Sequence, residues 1–254
     1  MWTKPLLISK TRALAIHLVL SALILIPFAI LIAFYWFPAP LFFTDGGWQG
    51  LRIMLFVDMV IGPTLTFLVF NPSKSIRELT LDFSVIAMVQ SAALTYGYIN
   101  VDSQRPLAVV FNEGAFVAVS KDRLALQTVA PETWEALKPG PPYWVYVRKP
   151  SSYKEQIEWL KQSVNDKIME HEIVASYAPL AAHLKDLAAV SKTPDDPPDF
   201  AEELQPILDK NGLTADQVLL LPLSGYYRAA TLIFNREGTY LGAVYHADDS
   251  GSGD

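Results

Sequence analysis

Ile53-Met54-Leu55-Phe56-Val57-Asp58-Met59-Val60-Ile61-Gly62-Pro63-Thr64-Leu65-Thr66-Phe67-Leu68-Val69-Phe70 is apolar except for one carboxylate, a glycine–proline pair and two threonines. Its length is close to the ~20 residues that a helix needs to cross a bilayer. A charge near the bilayer centre costs roughly 2.5–3.5 kcal/mol on insertion scales. Proline removes one helix hydrogen bond and kinks the helix, so the freed carbonyl needs another donor. Asp58 and Gly62-Pro63 are therefore affordable only inside a bundle, and the flanking sequence supplies one.

Upstream, Ala13 to Thr44 contains no Asp, Glu, Lys or Arg. Its core, about 13–37, exceeds both a signal h-region of roughly 7–15 residues and the minimum for a span, and no small-x-small cleavage site follows. We expect an uncleaved first span after a short leader carrying Lys4, Lys10 and Arg12. His17 and Pro27 lie within it, and His17 reads as a packing residue. The span ends in Phe34-Tyr35-Trp36-Phe37-Pro38-Ala39-Pro40, an aromatic cluster of the kind that gathers at the membrane–water boundary. The second span covers about 51–70 and stops at Asn71-Pro72-Ser73. The third covers about 83–101 and is uncharged, with Gln90, Ser91, Thr95 and Tyr96 as polar members. Lys4, Lys10, Arg12, Lys74 and Arg77 all fall on one side of these spans. The positive-inside rule makes that side cytoplasmic and sends everything after Val101 outward.

Charge divides the chain at the same place. Residues 1–101 carry six Lys/Arg and four Asp/Glu, so they are near +2; the remainder carries 14 and 22, near −8, and the two sum to −6. An acidic outer part argues against nucleic acid, which requires clustered positive charge. The chain has no cysteine, which excludes disulfides and thiolate chemistry.

Residues 102–246 read as a soluble α+β extracytoplasmic domain, followed by a disordered acidic tail at 247–254. Leu107–Phe111 and Ala115–Ser120 form a hairpin around Asn112-Glu113-Gly114. A short helix is expected at 131–137 and a strand at 143–147. Ser152-x-x-Glu155 is a capping box. It opens an amphipathic helix with the stripe Tyr153, Ile157, Leu160, Val164 and Ile168, and His171 and Glu172 lie on that helix. A second helix is expected over 177–190 and a loop over 192–199. A helix start at Asp199-x-x-Glu202 carries Leu204 and Leu208, with Pro206 making it short or irregular. Thr214-x-x-Gln217 caps one turn, and 227–234 pairs with 239–245. The similarity of 110–114 to 233–238 reads as two like turns.

No nucleotide, phosphate, zinc-protease or serine-hydrolase motif is present. His171 and His183 lack metal spacing, and the paired acids Asp195/Asp196 and Glu202/Glu203 sit in polar surroundings. A proteolytic Asp58 would need a second intramembrane aspartate, and a proton path would need more carboxylates or histidines at depth. Two uses of the segment then stay open. Asp58 packs in the bundle with Arg52, His17, Gln90, Ser91 or Thr95 as partner, or the kinked face around Gly62 docks another transmembrane helix. Gly62 permits close approach, and the threonines can bond a carbonyl left free near Pro63.

The first span ending Trp36-Phe37-Pro38-Ala39-Pro40, Asp58-x-x-x-Gly62-Pro63-x-Leu65-Thr66, Gln90 with Tyr96-Gly97, and Arg105-Pro106 before an apolar strand together resemble the TfpX/TfpZ type of type IV pilin accessory proteins. The resemblance implies a non-enzymatic inner-membrane protein with a cytoplasmic N-terminus, a periplasmic C-terminal domain and no cofactor or metal. It would bind or stabilise the type IV major pilin, assist pilus assembly, and contact the inner-membrane assembly platform. Asp58, Gly62, Pro63, Thr66, Gln90 and Tyr96 are the candidate docking or bundle-packing residues. The alternative is a membrane-anchored periplasmic sensor or transporter subunit with a functional intramembrane Asp58.

Overall fold

The structure, a computed structural model, describes residues 4–137, 140–191 and 200–246. The loop expected at 192–199 and the tail at 247–254 lie outside the described residues. The chain divides into two compact units, one made of residues up to 36 with 47–102, the other of 37–46 with those from 103 onward.

The first unit is helical. α1 (Lys4–Ile30) runs on through a π-helical stretch, Leu31–Trp36, so the cationic leader is itself helix. α2 (Leu41–Thr44) is a single turn that belongs to the other unit. α3 (Gly47–Phe56), a π-helical stretch Val57–Ile61 and α4 (Gly62–Val69) make one continuous rod. α5 spans Ile76–Gln104. Three helices, Lys4–Trp36, Gly47–Val69 and Ile76–Gln104, are thus long and apolar enough to cross a membrane. The second ends where Asn71-Pro72 forbids continuation, and its last carbonyls are taken by lysines. Lys10 Nζ donates to Phe67 O (2.8 Å) and Leu68 O (3.0 Å), and Lys74 Nζ to Val69 O (3.2 Å). Cations at a helix C-terminus also complement its dipole.

The second unit carries one mixed seven-stranded sheet, ordered β4-β3-β1-β2-β5-β6-β7. β1 (Pro106–Asn112) and β2 (Ala115–Ser120) form the expected hairpin through Glu113 (φ 50) and Gly114 (φ 91), both left-handed as a type I′ turn requires. α6 (Lys121–Leu124) and α7 (Pro131–Ala136) lead to β3 (Tyr143–Val147), parallel to β1. α8 (Tyr153–Asp166) follows; β4 is Tyr177–Pro179, α9 Leu184–Val190 and α10 Ala201–Asn211. β5 (Val218–Ser224), β6 (Ala230–Asn235) and β7 (Tyr240–Tyr245) close the sheet as an antiparallel meander. Side chains alternate between faces with period two. Val109, Phe111, Phe116, Leu221 and Phe234 build one core with Leu41 of α2. Val110 and Val145 build a second on the opposite face, and Leu220 and Ile233 a third with Leu204 and Leu208 of α10.

Several expectations are corrected. Residues 177–190 do not form one helix: Pro179, which has no amide hydrogen, sits in β4, and only 184–190 are α-helical. α10 runs unbroken through Pro206, whose exposed side leaves the displaced carbonyl to solvent. β5 lies over 218–224, a stretch to which the sequence patterns assign no element. α8 stops at Asp166, where Lys167 turns left-handed (φ 53), so His171 and Glu172 lie in a separate 3₁₀ turn, Glu170–Glu172. Most of the expected stripe does not pack on the sheet: Tyr153, Leu160 and Val164 are 77%, 62% and 67% exposed and Ile157 is half-buried, whereas Ile168, past the end of α8, is buried.

Candidate functional site

The second long apolar helix, Gly47–Val69, is shaped by Pro63. With no N–H to offer, it cannot satisfy the carbonyl one turn back. The turn before it widens, and Gly62 N–H bonds Val57 O at i→i−5 spacing. Such π-turns recur where a helix is adapted to a special task. Here the wide turn puts Asp58, Gly62 and Thr66 on one buried face, at 7% and 1% exposure for the two polar side chains.

Three helices meet at that face. Gln90 of α5 donates from Nε2 to Asp58 Oδ1 at 3.2 Å. His17 of α1 shares a 2.8 Å hydrogen bond between Nδ1 and Thr66 Oγ1. Gly62 lies between them: a Cβ there would overlap the Gln90 amide and stand 2.8 Å from His17 Nε2. Glycine is therefore required by the close approach of two polar side chains. Of the six candidates, Asp58, Gly62, Thr66 and Gln90 come together and Pro63 is buried beside them, whereas Tyr96 stands apart and 71% exposed. Of the proposed partners for Asp58, Gln90 bonds it directly and His17 completes the cluster. Thr66, expected to bond a carbonyl left free near Pro63, has its hydroxyl on His17.

Beside this cluster lies a cavity of about 660 Å³, walled by Ile16, Leu20 and Ile24 of α1 and Phe83, Ile86 and Ala87 of α5. His17, Thr66 and Gln90 supply its polar floor, and Arg12 and Ser9 stand at one end. It exists because α5 touches the rest of the unit at separated points. Phe83 stacks on Phe70 (6.3 Å), Gly97 lies against Met54, and Tyr98 packs on Trp36 (5.1 Å). The lining is apolar with a few convergent polar groups, which is the usual character of a binding cleft.

The sheet unit holds a different polar arrangement. Glu172 is buried and accepts Arg123 through Nε (2.7 Å) and Nη2 (2.6 Å), with Met169 N–H as a third donor at 2.7 Å. Burial raises its carboxyl, but these bonds outweigh it and hold the group below the usual range. Asp45 behaves oppositely: burial pushes its carboxyl up, despite the Thr44 hydroxyl at 2.6 Å. His183 stacks on Tyr146 (4.0 Å) and pairs with Asp186 (3.0 Å), while His171 lies elsewhere in the unit. Among the described residues no group of three or more His, Asp or Glu could share a metal ion.

No protein-family profile matches the chain, and no solved structure does. Three curated relatives from Dichelobacter nodosus do, each 36% identical over 111 residues, or 44% of this chain. Two are the fimbrial assembly proteins of serogroups E1 and I, of whose length the match covers 43%. This chain therefore spans under half of those two relatives. The third is the fimbrial assembly protein of serogroups C1 and C2, of which 85% is covered. These relatives are named for assembly and not for an enzymatic activity. On that coverage and identity, the chain belongs to the fimbrial assembly protein family.

Proposed function

We propose that this protein is a non-enzymatic, membrane-anchored accessory factor for pilus assembly, of the TfpX/TfpZ type, which holds a type IV pilin in the membrane before it is assembled. The observation that carries the reading is the cavity between α1 and α5. It is apolar along its walls and polar at its floor, as a cleft that receives another transmembrane helix would be. A pilin awaiting assembly keeps its apolar N-terminal helix in the bilayer and its globular head outside. The cationic residues flanking the spans support a cytoplasmic N-terminus and a periplasmic sheet unit in the bacterial inner membrane. The family membership supports the role in assembly, and the assembly platform is a further contact under this reading.

Ile16 and Ile24 line the cavity yet are 62% and 51% exposed, so a larger side chain there fills the cleft without disturbing the bundle. Pilin recovered with the affinity-tagged protein from native membranes should fall in the Ile16→Trp/Ile24→Trp variant. It should stay at the wild-type level in Ile53→Trp, which alters an equally exposed residue outside the cavity. Undiminished recovery with the cavity filled, at equal protein levels, would sink the proposal.

A further inference from the structure

α8 is built inside out. At about 100° per residue, Tyr153, Ile157, Leu160 and Val164 fall in one narrow stripe. That stripe faces away from the sheet, and three of its four members are more than 60% exposed. The side turned inward carries Trp159, which packs against the second core, with Gln162, Ser163 and Asp166 half-buried around it. The helix owes little to its apolar face. Its N-terminus is held by Ser152 Oγ accepting Glu155 N–H (3.3 Å) and by Glu155 accepting Ser151 N–H (2.7 Å). Its C-terminus is held by Ile168 N–H on Ser163 O (3.1 Å) and by the Ser163 hydroxyl on Ile168 O (2.6 Å). Among the described residues nothing covers Tyr153, Leu160 or Val164, while Ile157 is half-buried.

We infer that α8 is an interfacial helix whose stripe enters the surface of an anionic bilayer. Charge decides for lipid. Exposed Lys154 and Lys161 follow the stripe directly on one flank, and Lys167 ends the helix on the other. Lysines so placed keep their stems along apolar surface and their ammonium groups at the headgroups. Of the acids of α8, Glu155 is engaged in the cap, Asp166 lies on the inward side, and Glu158 lies further round than the lysines; beyond the helix, Glu170 shares a groove with Leu160 and Lys149. Tyr153 stands at one end of the stripe, an aromatic with the amphipathic character that suits the interface. Tethering also favours this occupant. β1 begins at Pro106, two residues after α5 ends at Gln104, so a bilayer crossed by α5 is always at high local concentration.

The inference rests on the membrane anchoring of the spans, which the same preparation reads separately. The native chain has no cysteine, so single ones are unique labels. Leu160→Cys, Val164→Cys and Glu158→Cys variants of the full chain are labelled with an environment-sensitive fluorophore and reconstituted into vesicles containing phosphatidylglycerol. Flotation with the vesicles reports the anchoring. Emission at 160 and 164 should be blue-shifted and quenched by lipids spin-labelled near the headgroup, while emission at 158 should resemble that in water. Equal, water-like emission at all three positions in floating vesicles overturns the inference. So does a blue shift at 160 and 164 without lipid quenching, which would mean that protein covers the stripe.

Discussion

Lys10 shows how one side chain can carry two kinds of information. From sequence it is a topology signal, a cation beside a span. In the structure it is also 6% exposed and donates to two carbonyls at the end of α4, with its ammonium 5.6 Å from the Phe67 ring. Without it those carbonyls lose a buried donor, so Lys10→Met should cost about 1–3 kcal/mol of bundle stability. Thermal unfolding in detergent would register this, with a smaller effect for Lys74→Met because Lys74 is a third exposed. Glu172 makes a second residue-scale case. Its folded carboxyl titrates below the unfolded value, so its contribution to stability is complete above about pH 4.5 and is lost as pH falls through the folded value. Glu172→Gln should cost roughly 2 kcal/mol at neutral pH, less than the 3–5 of a fully buried pair because Arg123 is partly solvated. The gap between variant and wild type should narrow in acid unfolding curves. Neither role was legible beforehand: the Arg123–Glu172 pair joins residues 49 apart in sequence, and no local pattern encodes such a distance.

Among the elements, those with strong local punctuation were readable and those made by tertiary contact were not. The β1–β2 hairpin followed from Asn-Glu-Gly between apolar runs, and α8 from its capping residues. β5 escaped because Leu219-Leu220-Leu221-Pro222 has neither alternation nor a strand-like composition. It is a strand by virtue of β6, with which it pairs from Val218 to Leu223, while it meets β2 only at Leu223 and Ser224. Where β2 does not reach, Ser191 beside α9 accepts the Leu220 N–H at 2.9 Å, so the ladder is completed by a side chain. The second span was legible in its residues but not in its geometry. Asp58 and Gly62-Pro63 stood out as costly, yet the π-turn that puts them on one face depends on which carbonyl Pro63 leaves free and on what Gly62 must clear. Gly62→Ala should cost about 1–3 kcal/mol through overpacking against Gln90 and His17. Shortening Gln90 to Ala should recover part of that loss, so a double-mutant cycle would show strong coupling. Additive losses would mean that the two helices do not meet at Gly62.

On the scale of the whole molecule, the sheet unit claims a segment that sequence order assigns elsewhere. Residues 37–46 connect the first two spans, and the aromatics and prolines around them read as a membrane boundary. In the structure Phe37 and Leu41 are almost fully buried, and Leu41 lies in the same core as Val109, Leu221 and Phe234. The segment is also bonded to the β5–β6 turn, where Tyr227 N–H donates to Thr44 O at 2.8 Å. Gly225 is required at that turn, because a Cβ would overlap Arg228 O and lie 2.6 Å from the Thr44 side chain. The chain consequently passes between the two units three times, near 36, 46 and 102, and not once as a simple anchor-plus-domain plan would have it. No sequence pattern announces this, since a single buried leucine in a four-residue helix has no periodicity to detect. The consequence is testable from far away in sequence. Leu41→Ala leaves a cavity in the sheet core and should cost about 2–5 kcal/mol. Amide exchange should accelerate in β1 and β6, whereas Leu126→Ala, at a residue 51% exposed, should leave the sheet unchanged. If exchange in β1 and β6 stays at the wild-type rate in Leu41→Ala, the segment merely lies against the sheet and the sheet folds without it. If it rises, the loop between the first two spans is a structural part of the sheet unit, and strain applied to those spans has a covalent route into its core.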